Sequence, residues 1–139
     1  MPLLTVTDAR LEAAAALAPG PDDDWNVQDS IVDAVSPPTL IVFWSDPWLE
    51  PATTTGMSRM CTFTARLSVM CVAGVIEPGA GVAKLEQLVG LVVARLLGPA
   101  FPLPTISAPL RWFPRPDSTI PYLASEVRYR IPVYTDPGG

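Results

Sequence analysis

The stretch that decides the fold is CTFTARLSVMCVA at positions 61–73. Apolar side chains occupy its odd positions from Cys61 to Cys71, whereas polar side chains occupy the even positions from Thr62 to Ser68. A period of two is typical of a β-strand that buries one face and leaves the other in water. We therefore predict a strand over residues 59–73 with one wet face as far as Ser68.

Three further strands are predicted around this one. Residues 39–45 are almost wholly apolar, which indicates a strand buried on both faces. Residues 105–112 form a strand broken by Pro109, which places this segment at an edge or a bulge because proline cannot donate to a ladder. Residues 122–134 alternate again and form the last strand.

Two helices are predicted. The first begins at a cap on Thr7 or Asp8 and runs to about Ala18. The second covers about residues 80–97 and carries a wide apolar stripe at helical spacing. Gly90 lies inside it and costs about 1 kcal/mol relative to alanine. This glycine indicates a close backbone approach from the sheet or from a neighbouring subunit.

The remaining stretches are predicted to be mostly loop. Residues 19–38 are polar and flanked by prolines, with a short edge strand near Val27 as an alternative, and residues 46–57 form a long loop. The order helix, strand, strand, helix, strand, strand predicts an α+β fold in which two helices pack on one face of an antiparallel four-stranded sheet. A length of 139 residues predicts a single domain over 1–139.

Composition restricts the classes of partner. Charged residues make up 17% of the chain and apolar residues 49%, so we expect other subunits to cover part of the apolar surface. The net charge is −5 and Lys84 is the single lysine, so the sequence offers no basic patch for nucleic acid. We find no signal-peptide pattern and no apolar run long enough for a membrane span. Cys61 and Cys71 share one strand, about 33 Å apart if it is straight, and are predicted to be reduced and buried.

The sequence contains no complete catalytic or cofactor-binding motif. The chain has no histidine, which excludes a Ser-His-Asp triad, a Cys-His pair and a histidine metal site. The stretch GAGVAK at 79–84 lacks the glycine and Lys-Ser/Thr pattern of phosphate loops. Residues 22–33 follow a calcium-loop spacing, but Val27 replaces its glycine and Asp33 its glutamate. We expect no enzyme activity, cofactor or metal, and keep a small enzyme or ligand-binding domain as the alternative.

Protein contacts are the remaining candidate function for the polar and aromatic residues. Arginines near the C-terminus stand among aromatic residues, a mixture that favours a protein interface over base stacking in an acidic protein. Stiff, proline-containing loops are predicted at 46–56 and 113–121, and such loops lose little entropy on docking. The candidate interface residues are Trp48, Glu50, Phe113, Arg115, Asp117, Arg128 and Arg130.

A set of landmarks resembles one family. Pro37-Pro38 leads into the strand Leu40–Trp44, Asp46-Pro47 forms a turn, Glu77–Gly81 precedes the long helix, and Tyr122-Leu123-Ala124 opens the final strand. In this order they resemble the tail terminators of long-tailed bacteriophages. The resemblance implies two helices against an antiparallel sheet, and a homo-hexameric ring at the head-proximal end of the tail tube.

The same resemblance implies a function and partners. Such a ring stops tube polymerisation and gives the head connector, or stopper, a docking face. We therefore expect a structural protein of the virion neck, assembled in the bacterial cytoplasm, whose partners are itself, the tail-tube protein and the connector. DNA is expected to pass through the lumen without specific binding, and no membrane is involved. The alternatives are another neck component, namely a connector-side stopper or a tail-tube subunit.

Overall fold

Three long strands form the centre of one sheet. The computed structural model describes residues 4–28, 38–54, 61–75, 80–98, 101–112 and 121–135. The central strands are β3 (Thr39–Thr54), β4 (Cys61–Val75) and β7 (Tyr122–Thr135). Four short strands and two helices complete the described chain: β1 (Leu4–Thr5), α1 (Val6–Ala16), β2 (Asn26–Gln28), α2 (Ala80–Arg95), β5 (Thr105–Ile106) and β6 (Leu110–Trp112).

Strand β4 lies between β3 and β7 and is antiparallel to both. Its Val69 stands opposite Val42 on one side and opposite Val127 on the other. All three of these side chains are fully buried. The predicted alternation in β4 is confirmed, since Ala65, Leu67, Val69 and Cys71 belong to the core cluster.

The short strands lie at the two edges. Strand β2 pairs with β3 in the parallel sense, which places Val27 opposite Leu40. At the opposite edge β7 carries β1, which is parallel to it, and β5 and β6, which are antiparallel. Strand β7 is thereby paired on both sides along part of its length, which leaves less of this backbone edge open to other chains.

Both helices pack into the same core. Helix α1 contributes Ala9 and Ala13, and the residue that follows it, Leu17, is also fully buried. Helix α2 and the residue after it contribute Leu85, Leu88, Val92 and Leu96. All of these contact the cluster that contains the odd-numbered residues of β4. The opposite sheet face holds only a small apolar cluster among the described residues, built on Ile41, Val72 and Ala124.

The predicted four-stranded antiparallel sheet is wrong. The described chain forms a seven-stranded mixed sheet, although the α+β class itself is compatible with it. Strands of two or three residues, such as β1 and β2, are too short to show a period, and the edges of longer strands hold them. The segment 105–112 is two strands rather than one, because the residues up to Pro109 leave the ladder between β5 and β6.

The predicted loop at 46–57 is also wrong as far as residue 54, because β3 continues to Thr54. The pairing of β3 with β4 jumps from Trp44 to Leu49, so residues 45–48 face a single residue, Arg66. This bulge contains Asp46-Pro47, and β3 tolerates the proline because bulges and edges do not need every backbone donor. Residues 55–60 lie outside the described residues.

Helix α2 ends two residues before its predicted end, and the residue that caps α1 is Thr5 rather than Thr7 or Asp8. The Thr5 hydroxyl accepts a hydrogen bond of 3.1 Å from the backbone N–H of Asp8, which caps the helix. The expected close approach of the sheet to Gly90 is wrong, because a Cβ built there meets no atom of the described residues within 4 Å, apart from its chain neighbours and the backbone of its own helix. A neighbouring subunit as the reason for this glycine stays a prediction.

We predict that Gly90→Ala stabilises the isolated protein. Alanine removes a helix-interior glycine without a clash, so the free energy of unfolding should rise by about 0.5–1 kcal/mol in urea titrations. The control is Gly98→Ala, which is equally free of contacts but lies beyond α2 and should gain less. A less stable Gly90→Ala variant would contradict the open space at this position.

Candidate interaction site on the sheet face opposite the helices

Charged and hydroxyl side chains gather on the sheet face that the two helices do not cover. Residues Arg66 and Ser68 of β4 stand opposite Arg130 and Arg128 of β7. Since side chains alternate along a strand, all four lie on the side opposite Leu67 and Val69. We call the following set the arginine face: Ser45, Glu50, Arg66, Ser68, Glu126, Arg128 and Arg130.

Glu126 is the centre of this set. Its Oε1 accepts a hydrogen bond of 2.6 Å from the Ser68 hydroxyl and one of 3.2 Å from the Ser45 hydroxyl. Ser45 and Ser68 also contact each other. Arg128 clamps the carboxylate from the other side, with Nε 2.9 Å from Oε1 and a guanidinium nitrogen 3.0 Å from Oε2. Such a two-point contact is the strong form of an arginine–carboxylate pair.

These contacts keep Glu126 ionised. Burial alone would raise the pKa of Glu126, but hydrogen bonds from Arg128 and Ser68 and the charge of Arg128 together lower it below the usual value. Conversely, the hydrogen bond and charge of Glu126 raise the pKa of Arg128. The arginine face therefore carries a permanent carboxylate at neutral pH, held by a permanent cation.

A second carboxylate, Glu50, joins two more arginines. Its Oε1 lies 2.5 Å from a guanidinium nitrogen of Arg66, and its Oε2 lies 3.6 Å from one of Arg130. The buried Nε of Arg66 has no hydrogen-bond partner in the described part of the chain. The ion pair of Glu50 with Arg66 is therefore shorter than its ion pair with Arg130.

The charges are layered. The side chain of Arg128 is 59% exposed and that of its partner Glu126 only 11%. Arg130 is 64% exposed and Glu50 35%. Around these groups is a pocket of about 560 Å³, whose walls include Phe43, Trp44, Ser45 and Thr105. Glu126 lies on the floor of the pocket below Arg128, whereas Arg66 and Glu50 are about equally exposed, at 32% and 35%. The exposed guanidinium groups of Arg128 and Arg130 therefore present positive charge to a partner.

The structure describes four of the seven predicted interface residues. Glu50, Arg128 and Arg130 lie together on the arginine face, and Trp48 lies in the neighbouring bulge of β3. The Trp48 side chain is 48% exposed, and its ring centroid is 5.9 Å from that of Trp44. Trp48 and Glu50 belong to a strand, not to the predicted loop. The other three, Phe113, Arg115 and Asp117, lie outside the described residues.

Sequence reasoning missed the residues that hold this site together, namely Ser45, Arg66, Ser68 and Glu126. The alternation of β4 and β7 already placed Arg66 and Ser68 on one strand face and Glu126 beside Arg128. The missing information was the register that sets Ser68 beside Arg128, because cross-strand pairing is not a local property of either strand.

A second surface lies on the helix side and is apolar. A groove of about 540 Å³ runs between α2 and the segment that holds β5, and its walls include Val89, Gly90, Val93, Leu97 and Ile106. Leu97 is 69% exposed and Ile106 48% exposed. Isolated exposed apolar residues are ordinary, but a continuous groove of them indicates a surface that a partner covers.

The stretch that resembles a phosphate loop and the stretch with calcium-loop spacing contact each other through one ion pair. Lys84 donates hydrogen bonds of 2.8 Å to both carboxylate oxygens of Asp24, and these lower the pKa of Asp24. Lys84 of the first stretch and Asp24 of the second are therefore partners in this ion pair. Cys71 is free and buried, as predicted, and burial raises the pKa of its thiol to about 12.

Across the described ranges, no three histidine, cysteine or acidic side chains are placed to hold a metal ion. In the same ranges, no helix has both the length and the apolar character that crossing a membrane requires.

No protein-family model matches the chain, and no curated protein matches it.

We predict that the Glu126 cluster makes stability depend on pH at the acid end. Because the pKa of Glu126 is lowered on folding, its contribution is fully present above the unfolded pKa of about 4.3 and is lost as pH falls through the folded pKa. Glu126→Gln should cost about 1–3 kcal/mol at pH 7, since it weakens hydrogen bonds to a charged group. The difference from the wild type should shrink below pH 4.

Urea titrations at pH 7 and pH 3.5 measure this effect. Glu12→Gln is the matched control, because Glu12 is exposed on α1 and its loss of charge should change stability little. A Glu126→Gln variant as stable as the wild type at pH 7 would show that the cluster is not a stabilising element.

Proposed function

We propose that this protein caps the head-proximal end of a bacteriophage tail tube as a closed homo-hexameric ring. In this role it stops tube polymerisation and offers the head connector a docking face. It is a structural protein of the virion neck, assembled in the host cytoplasm, and it works by binding rather than by catalysis.

The observation that carries this proposal is the presence of two unlike surfaces on one subunit. The arginine face is charged and lies on one side of the sheet, whereas the apolar groove along α2 lies on the helix side. A ring is built from a heterologous contact between two different patches of the same chain, and a cap also needs contacts toward the tube and the connector. A subunit of a capping ring therefore needs several unlike surfaces, of which these are two.

The landmarks of the resemblance support the same proposal only in part. Ala80 begins α2 and Tyr122 begins β7, whereas Asp46-Pro47 lies in a bulge of β3 and not in the turn that the resemblance implies. Charge supports it too, because a chain with a net charge of −5 repels phosphates when it is repeated around a lumen. Under this proposal, DNA slides through the ring without specific binding.

We predict that the purified protein arrests the growth of tubes formed by its cognate tail-tube protein. Added at the start of polymerisation, it should shorten the tubes seen by electron microscopy, because an end that is covered cannot add subunits. The native mass of the capping species should be six times that of the 14.9 kDa chain. Trp48→Ala and Arg115→Ala should stay folded and weaken the arrest.

The control variant is Leu103→Ala, which removes an apolar side chain that is 79% exposed and lies outside both surfaces. Unchanged tube lengths with folded wild-type protein contradict the proposal. Polymerisation of the protein itself into tubes would indicate a tail-tube subunit instead. Binding to the connector without any binding to the tube would indicate a stopper.

A further inference from the structure

Two sets of ion pairs differ in which partner is the more exposed to solvent, the cation or the carboxylate. On the arginine face Glu126 is 11% exposed and lies below its partner Arg128, which is 59% exposed. The loop between α1 and β2 reverses this order. There Asp24 is 64% exposed and its partner Lys84 is 23% exposed. One surface therefore presents positive charge and the other presents negative charge.

The acidic surface consists of three consecutive residues, Asp22, Asp23 and Asp24, which we call the aspartate loop. Asp23 is held in place, since one of its oxygens accepts a 2.7 Å hydrogen bond from the backbone N–H of Gly20 and lies 3.8 Å from Arg95. Asp22 is exposed. These contacts fix the shape of the loop, and Asp22 and Asp24 extend from it into solvent.

The arginine face keeps donors for a carboxylate. The 3.6 Å contact between Arg130 and Glu50 is too long for a hydrogen bond, and Arg130 is 64% exposed. Arg128 uses two of its nitrogens on Glu126, while most of its side chain remains exposed. A guanidinium with unused N–H groups is well suited to bind a carboxylate at two points.

The two surfaces of one chain point away from each other. The aspartate loop packs against α2, where Lys84 binds Asp24 and the Arg95 guanidinium lies 5.0 Å from the ring centroid of Trp25. The arginine face lies on the other side of the sheet. A contact between them therefore joins two copies, head to tail, and can repeat until it closes.

We propose that the arginine face of one copy binds the aspartate loop of the next copy, so that Arg128 and Arg130 contact Asp22 and Asp24 across the subunit boundary. The inference rests on the proposed assembly of this chain from identical copies, and it assigns the surfaces that meet. Complementary charge of this kind selects the partner and sets the register of the contact.

The test uses two charge reversals, Arg130→Glu and Asp22→Lys, and measures native mass at low salt with circular dichroism to verify folding. Each variant alone places like charges opposite each other at every subunit boundary. Its association should therefore weaken by about tenfold or more. In an equimolar mixture the two variants can alternate around the assembly. Opposite charges then face each other at every subunit boundary. The mixture should therefore regain the wild-type mass, and a misfolded variant could not produce this result.

Glu12→Lys is the control, because it changes charge by the same amount as Asp22→Lys on the exposed surface of α1 and should assemble like the wild type. Normal assembly of either reversal variant overturns the inference, as does a mixture that stays dissociated or a wild type that remains monomeric at low salt. If Arg130→Glu still arrests tubes as the wild type does, this interface is wrong while the capping function stands.

Discussion

The register of β4 with its two neighbours is the constraint on which the rest of the structure depends. Leu67 and Val69 face the helices, and Arg66 and Ser68 face the other way. A slip by one residue would exchange these two sets and place a guanidinium in the core. Such a slip exposes several large apolar side chains at once, each worth about 1.5–3 kcal/mol, so one register is strongly preferred. The same register sets Ser68 beside Arg128 and completes the site around Glu126.

The parts of the fold that could be predicted are those with a long, regular hydrophobic period. Strands β4 and β7 and helix α2 were found close to their true limits because each repeats its pattern several times. Strand β3 was cut short in the prediction, since Asp46-Pro47 has the composition of a turn. Its position opposite Arg66, in a bulge, removes the usual objection to proline. Strand β1 is set by its pairing with β7, which no local pattern reveals, whereas the short edge strand that the sequence offered near Val27 is β2.

The candidate site was predictable in part for the same reason. Arg128, Arg130 and Glu50 could be identified as interface candidates from residue type. Glu126 and Ser68 could not be identified in this way, because their importance comes from the hydrogen bond between them, and they lie 58 positions apart in the chain. A lone serine on a wet strand face is ordinary. Beside a buried carboxylate it becomes a donor that keeps the carboxylate charged, with Ser45 and Arg128 completing the set.

The placement of charge relates this fold to assembly. On the sheet face Arg128 is more exposed than Glu126, whereas in the aspartate loop Asp24 is more exposed than Lys84, so one acidic subunit has a positive and a negative side. The groove along α2 adds an apolar surface that neither charged patch fills. Under the proposed function, two of these three surfaces meet in the ring contact, and the groove is left for a partner above or below the ring.

A reconstruction of the assembled neck by electron cryomicroscopy would show which surfaces join the copies. We expect a closed ring of six copies at the end of the tube, with the arginine face of each copy against the aspartate loop of the next. One or two copies of this chain in the neck, or six copies joined through other surfaces, would contradict it.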